Sequence, residues 1–294
     1  DLLVFDAQGR FLRQIGRRGQ GPKEYDHIGC FTFMNDRFYM VDTYTNDLLC
    51  FQWDGSFVSK THLDLNDYPV SVTDMNKELY FTFGGNFPRQ SYRILSITSD
   101  GKIKERLFPY EYTYPQIGEE LLKSNDGKLL LNPSHSDTIF EISKDCVVPK
   151  FVLGYYHGDE SEEIRSKYCS LGPNEYYKYI NSIDDKSLMV SRVHDLNDCM
   201  ILEYNTSPKV AYLSIVDKRD NSCVTYQRYN RLKQENELPF HLFYSDNIDH
   251  LISFCIDKEW IKEHPLFYRK MSQEQKDLLA SHKSEDNPMI IKIK

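Results

Sequence analysis

Apolar and polar residues alternate along most of this chain in short runs broken by turn dipeptides, the pattern of half-buried strands rather than of helices. Residues 30–34 and 37–42 read as strands joined by an Asn35-Asp36 turn, and 47–53 and 57–63 as strands joined across Asp54-Gly55. The same order returns at 70–73, 78–83, 92–98 and 103–107, with Asn76-Lys77 and Asp100-Gly101 as turns. It returns again at 120–123, 128–132, 138–143 and 147–153, with Asp126-Gly127 at the first hairpin. A looser fourth unit is expected at 179–183, 187–192, 200–205 and 209–214, and a final one at 241–244, 250–256 and 288–294.

The units keep a register. Leu2, Leu3, Phe5, Gly9 and Phe11 recur as Leu48, Leu49, Phe51, Gly55 and Phe57, an offset of 46 residues, and the same offset carries Gly55 onto Gly101. A repeat of that length built from short strands is the mark of a propeller blade, a small sheet that buries its faces only by stacking on neighbours. The expected fold is therefore all-β: a single β-propeller domain over 1–294 with four-stranded antiparallel blades. A partial blade covers 1–16; full blades cover about 28–63, 69–108, 118–153 and 178–214; the last covers about 240–294. Because the first echo enters halfway through a blade, six blades with an incomplete seam and an upstream segment are expected. A five-bladed ring closed by the two ends is the alternative.

Helices enter as insertions. Acidic residues lead and basic ones follow in 159–167, inside an insertion at 159–174, so this cluster reads as a helix start rather than a metal site. Ser272 and Gln275 form a capping box ahead of an expected helix at 273–282, within an insert at 257–287, and a second short helix is expected at 226–234.

Composition narrows the function. A net charge of −8 argues against nucleic acid, and no apolar run is long enough for a membrane helix. The seven Cys show no C-x-x-C spacing and read mainly as buried small hydrophobes. No G-x-S-x-G, H-E-x-x-H or calcium-loop pattern occurs. Ser134, His135, Ser136 and Asp137 are sequence neighbours and read as a turn, not a triad. His194 beside Asp195 holds slightly more interest, as a His that a carboxylate could orient.

The segment after the first hairpin, with Gly16, Gly19, Gly21, Pro22, Glu24 and Tyr25, resembles the G-x-x-G-x-G-P-G-E-[FY] signature of NHL-like six-bladed β-propeller proteins; Lys23 stands where the signature has its last Gly. Many members of that family are predicted envelope lipoproteins of gut anaerobes. The resemblance implies a cell-envelope location, with membrane attachment only through a lipid anchor upstream. The glycines read as a link between blades rather than a phosphate cradle, since no Lys-Ser or Lys-Thr pair follows Gly21.

Candidate binding residues are those expected at or after the second strand of each unit, where loops share a face of the ring: Asp42, Tyr44, Asn86, Arg89, Asn132, His135, Arg192 and His194. The function expected is non-enzymatic recognition of a glycan, peptide or protein. The alternative is a metal-dependent propeller enzyme of lactonase or lyase type. No catalytic residue and no cofactor is expected, a divalent metal in the channel belonging to the alternative alone.

Overall fold

The computed structural model describes residues 2–6, 10–83, 91–109, 121–124, 126–133, 136, 138–143, 146–153, 167, 171–182, 189–207, 210–230, 242–245, 251–255, 272–281 and 289–293. Strands β1 (Leu2–Phe5) and β2 (Phe11–Ile15) form a two-stranded sheet. Four-stranded sheets follow in chain order. The second sheet holds β3 (Ile28–Met34), β4 (Arg37–Asp42), β5 (Asp47–Gln52) and β6 (Phe57–His62). The third holds β7 (Pro69–Met75), β8 (Glu78–Phe83), β9 (Tyr92–Ile97) and β10 (Ile103–Pro109). The fourth holds β11 (Leu122–Lys123), β12 (Leu129–Leu131), β13 (Thr138–Ile142) and β14 (Val147–Val152).

After helix α1 (Pro173–Ser182) comes a sheet of β15 (Met189–Asp195), β16 (Cys199–Ser207), β17 (Val210–Asp217) and β18 (Cys223–Asn230). The last sheet pairs β19 (Leu242–Ser245), β20 (Leu251–Cys255) and β21 (Met289–Ile293), with helix α2 (Gln273–Ser281) inserted before β21. Four-stranded antiparallel sheets in sequence, each an unbroken meander, are blades, and the chain is a β-propeller. It divides into two compact units, Asp1–Val193 with Tyr204–Pro208 and His194–Glu203 with Lys209–Lys294.

In the first unit the sheets bury their faces on one another. Val41, Leu48, Cys50 and Met34 pack with Val72, Leu79, Phe81 and Leu95 between the second and third sheets. Tyr80 and Ile94 pack with Leu129, Leu131 and Ile142 between the third and fourth. Ile15 joins Phe38, Met40, Leu49 and Phe51 between the first and second. The hairpins are as the sequence expects: Asn35 and Asp36, and likewise Asn76 and Lys77, both have positive φ, the mirror-image turn whose twist suits two antiparallel strands. Ser272 and Gln275 exchange the two bonds of a capping box, Gln275 N–H to Ser272 Oγ (3.2 Å) and Ser272 N–H to Gln275 Oε1 (2.8 Å).

Three expectations fail. Residues 179–182 of the strand expected at 179–183 instead close helix α1: Pro173 sits at its first turn and Glu175 caps it, accepting the Gly172 N–H at 3.0 Å. The fourth unit is therefore displaced by one strand, and β15 opens its sheet. Nor do residues 226–230 begin a helix; β18 pairs along β17 from Val216↔Cys223 to Val210↔Asn230 as the outer strand. Of the thiols, Cys30 and Cys50 are buried but Cys146 and Cys223 are exposed, and these four and Cys199 are free. The helix expected at 159–167 lies outside the described residues, Lys167 excepted.

Two outcomes follow from this packing. Phe51→Ala, in the core between the first two sheets, is expected to cost about 3–5 kcal/mol in urea unfolding, whereas Val152→Ala on an open face changes stability by less than about 0.5 kcal/mol. At the Asp126-Gly127 turn, a hydrogen bond from Ser124, aided by Lys128 and opposed by partial burial, holds the Asp126 carboxyl down to about 2. A carboxyl depressed on folding contributes stability that is complete above its unfolded value and lost as pH falls through the folded one. Stability should therefore decline between about pH 4 and pH 2, with a smaller slope in Asp126→Asn.

Candidate functional site

One end of the second sheet gathers polar residues. Cross-strand pairing sets Ile28 opposite Asp42, Asp42 opposite Asp47 and Asp47 opposite His62. Asp42 ends β4 and is 1% exposed. Its carboxylate accepts three backbone N–H groups: Asp26 at 2.7 Å, His27 at 3.3 Å and Tyr44 at 3.0 Å. The bond to Tyr44 is the two-residue reach that starts a turn after an aspartate. The other two tie in the segment arriving from β2, and the Thr43 N–H donates to the His27 carbonyl at 3.0 Å. One buried anion thus fastens the interblade link and the β4–β5 loop together.

The fastening presents an aromatic pair. The rings of His27 and Tyr44 stack at 5.1 Å with 19° between planes, and Tyr44 is 71% exposed. Both rings hang from backbone whose N–H groups bond to Asp42. Beside them Asp47 accepts from Lys60 (3.2 Å) and contacts His62 Nδ1 (3.1 Å). Burial raises the Asp47 pKa, but hydrogen bonds from Thr45, His62 and Lys60 outweigh it and hold the carboxyl below the usual range. Lys60 also donates to the Glu24 carbonyl at 3.2 Å.

The Gly-rich link is folded onto its own carboxylate. Glu24 pairs with Arg17 and accepts the Gly21 N–H at 2.9 Å, while the Gly19 N–H donates to the Tyr25 carbonyl at 2.9 Å. A Cβ on Gly19 would lie 2.0 Å from Glu24 Oε2, so a side chain there would displace the Glu24 carboxylate from its bonds. Gly16, at φ +68°, lets the chain leave β2 against Phe51, Tyr25 and Met40. The bond to Arg17, then that to Gly21, lowers the Glu24 pKa. The Gly19 and Gly21 amides that a phosphate would need already have partners, in keeping with a structural link.

The remaining candidates fall elsewhere. Asn132 is buried and closes its own loop, donating to the carbonyls of Ser136 (3.2 Å) and Thr138 (3.1 Å). Arg192 and His194 are not at a second-to-third-strand loop; both lie within β15, the first strand of its sheet, a consequence of the strand displacement described above. His194 contacts Glu203 across the hairpin at 3.2 Å, the two being 4% and 2% exposed, so its carboxylate partner is not the neighbouring Asp195. Asp195 pairs with Lys218 at 2.7 Å. Asn86, Arg89 and His135 lie outside the described residues. The structure thus brings Asp42 and Tyr44 together and adds His27, which sequence reasoning missed. Among the described residues no three or more His, Cys, Asp or Glu side chains converge as a metal site.

Asp42→Ala strands three amides without their acceptor and is expected to cost about 2–4 kcal/mol in denaturant unfolding, and Asp42→Asn, which keeps a carbonyl acceptor, less.

Two solved structures, both from Bacteroides, share this fold. A Bacteroides fragilis protein described as exported shares 18% identity at a TM-score of 0.74, over 98% of this chain and 82% of that one. A DUF4221-family protein of Bacteroides vulgatus shares 10% identity at a TM-score of 0.53, over 78% and 74% of the two chains. Virginiamycin B lyase of Staphylococcus aureus shares 12% identity at a TM-score of 0.45, over 86% and 69%. No curated protein matches the chain. The model of a domain of unknown function, DUF4934, matches residues 1–294, and the chain belongs to that family.

Proposed function

We propose that this protein is a non-enzymatic binding module of the bacterial cell envelope, a six-bladed NHL-like propeller that recognises a glycan, peptide or protein through its loops. The observation that carries the reading is the His27–Tyr44 stack mounted on the buried Asp42 carboxylate. An exposed aromatic surface loses little conformational entropy on binding when its backbone is already fixed, and it offers a flat apolar face to a sugar ring or an apolar side chain. Thr43, Asp47 and His62 supply polar groups at the same end of the sheet.

Asn132, Arg192 and His194 then act inside the scaffold: Asn132 shapes a loop, and the other two belong to a strand. Asn86, Arg89 and His135 stay as proposed loop contacts. An envelope location accords with the description of the Bacteroides fragilis protein as exported. Among the described residues no helix is long and apolar enough to cross a membrane, and attachment through a lipid anchor belongs to this same proposal.

The purified protein, screened against glycan and peptide arrays, should show ligands whose affinity falls about tenfold or more in Tyr44→Ala and in His27→Ala, with unchanged unfolding midpoints. Ligands that bind both variants as tightly as the parent would move the site away from this loop.

A further inference from the structure

The His27–Tyr44 stack shares its end of the second sheet with another oriented group. Asp47 divides its two oxygens, Oδ2 to Lys60 (3.2 Å) and Oδ1 to His62 Nδ1 (3.1 Å). Its carboxyl is held below the usual range, so at neutral pH it is ionised and only accepts, and His62 Nδ1 carries the proton. In the neutral ring the other nitrogen, Nε2, is then an acceptor, and the His62 side chain is 71% exposed.

The same end carries a further exposed ring. Asn46, in the Tyr44 loop, holds the link that follows β6: its carbonyl accepts the Leu63 N–H (2.8 Å) and its side-chain amide donates to the Leu65 carbonyl (3.4 Å). That link ends at Tyr68, which is 52% exposed and whose N–H donates to Asp67 Oδ1 at 3.0 Å. Cys30 Sγ lies 3.9 Å from the Pro69 carbonyl, so β7 starts beside the start of β3, the end at which Asp42 stands. Tyr44 and Tyr68 therefore belong to the same end of neighbouring sheets.

What these groups leave open selects the ligand. A peptide that adds through its main chain needs backbone N–H groups without partners. Here they are already bonded: Asp26, His27 and Tyr44 to Asp42, Thr43 to the His27 carbonyl, Leu63 to Asn46 and Tyr68 to Asp67. The cations Arg18 and Lys60 are paired with Asp26 (3.7 Å) and Asp47 (3.2 Å), which disfavours an acidic ligand. Exposed rings and a side-chain acceptor remain. A sugar chain matches them, with apolar C–H faces for the rings and hydroxyl donors for the nitrogen.

We propose that the ligand is a neutral oligosaccharide: one sugar lies on Tyr44 and donates a hydroxyl to His62 Nε2, and a further sugar of the chain lies on Tyr68. This rests on the binding role proposed above and narrows it to one class of ligand, with His62 and Tyr68 as binding residues beside Tyr44.

The purified protein and its Tyr44→Ala, His62→Ala and Tyr68→Ala variants are probed with an array of neutral and uronic-acid-bearing oligosaccharides and with a random peptide library. The expected result is binding of neutral chains that falls about tenfold in His62→Ala and in Tyr68→Ala, with unfolding midpoints unchanged because both side chains are exposed. Added sodium chloride should change that affinity by less than about twofold. Ligands sensitive to Tyr44→Ala that are only peptides or acidic sugars overturn this assignment and leave the loop site standing. So does binding of neutral chains that is indifferent to His62→Ala or to Tyr68→Ala, or that salt abolishes. If neither set holds a ligand sensitive to Tyr44→Ala, the assignment and the broader binding role both fall.

Discussion

A four-stranded sheet with apolar side chains on both faces is stable in water only while something lies against each face. Everything described here hangs on that constraint. Between the second and third sheets it is met in full: buried residues of β3 to β5 interdigitate with those of β7 to β9. Between the first and second it is met over β4 and β5, with Ile28 of β3 packed against them, while Phe31, Phe33 and Trp53 stay half exposed.

Face-to-face burial fixes sheets, but it does not fix the loops at their ends. At the end of the second sheet that task falls to Asp42, which collects amides from two separate segments into one bonded junction. A buried carboxylate without such partners would be costly, so the junction is favoured as a unit. Its product is a rigid mount for His27 and Tyr44. Glu24 plays a comparable part for the Gly-rich link, in more exposed surroundings. A carboxylate at a strand end and another within the link thus hold loops that the apolar faces leave unconstrained.

Much of the first half was legible because its signals agree. Alternation over β3 to β10, paired left-handed turn residues at Asn35-Asp36 and Asn76-Lys77, and the 46-residue echo all point to the same hairpins. Where signals conflict, the sequence misleads. The aromatic run ending in Tyr179 and Ile180 reads as a strand, yet Pro173 and the Glu175 cap, seven or fewer residues earlier, commit it to helix. That error displaced Arg192 and His194 into the wrong loop. At the candidate site, Asp42 and Tyr44 could be found from their place after a second strand. The burial of Asp42 and the role of His27 could not, because they arise from bonds between segments 15 or 16 residues apart. Glu203 likewise reaches His194 only once β15 and β16 are set side by side.

The central claim is that loops at the end of the second sheet are held as firmly as the sheet. Amide hydrogen exchange resolved at single residues measures this directly. The account predicts that the amides of Asp26, His27 and Tyr44 exchange as slowly as those in the middle of β4, because all open only when the sheet does. Exchange of those three amides at the rate of an unprotected loop, with β4 still protected, would contradict it.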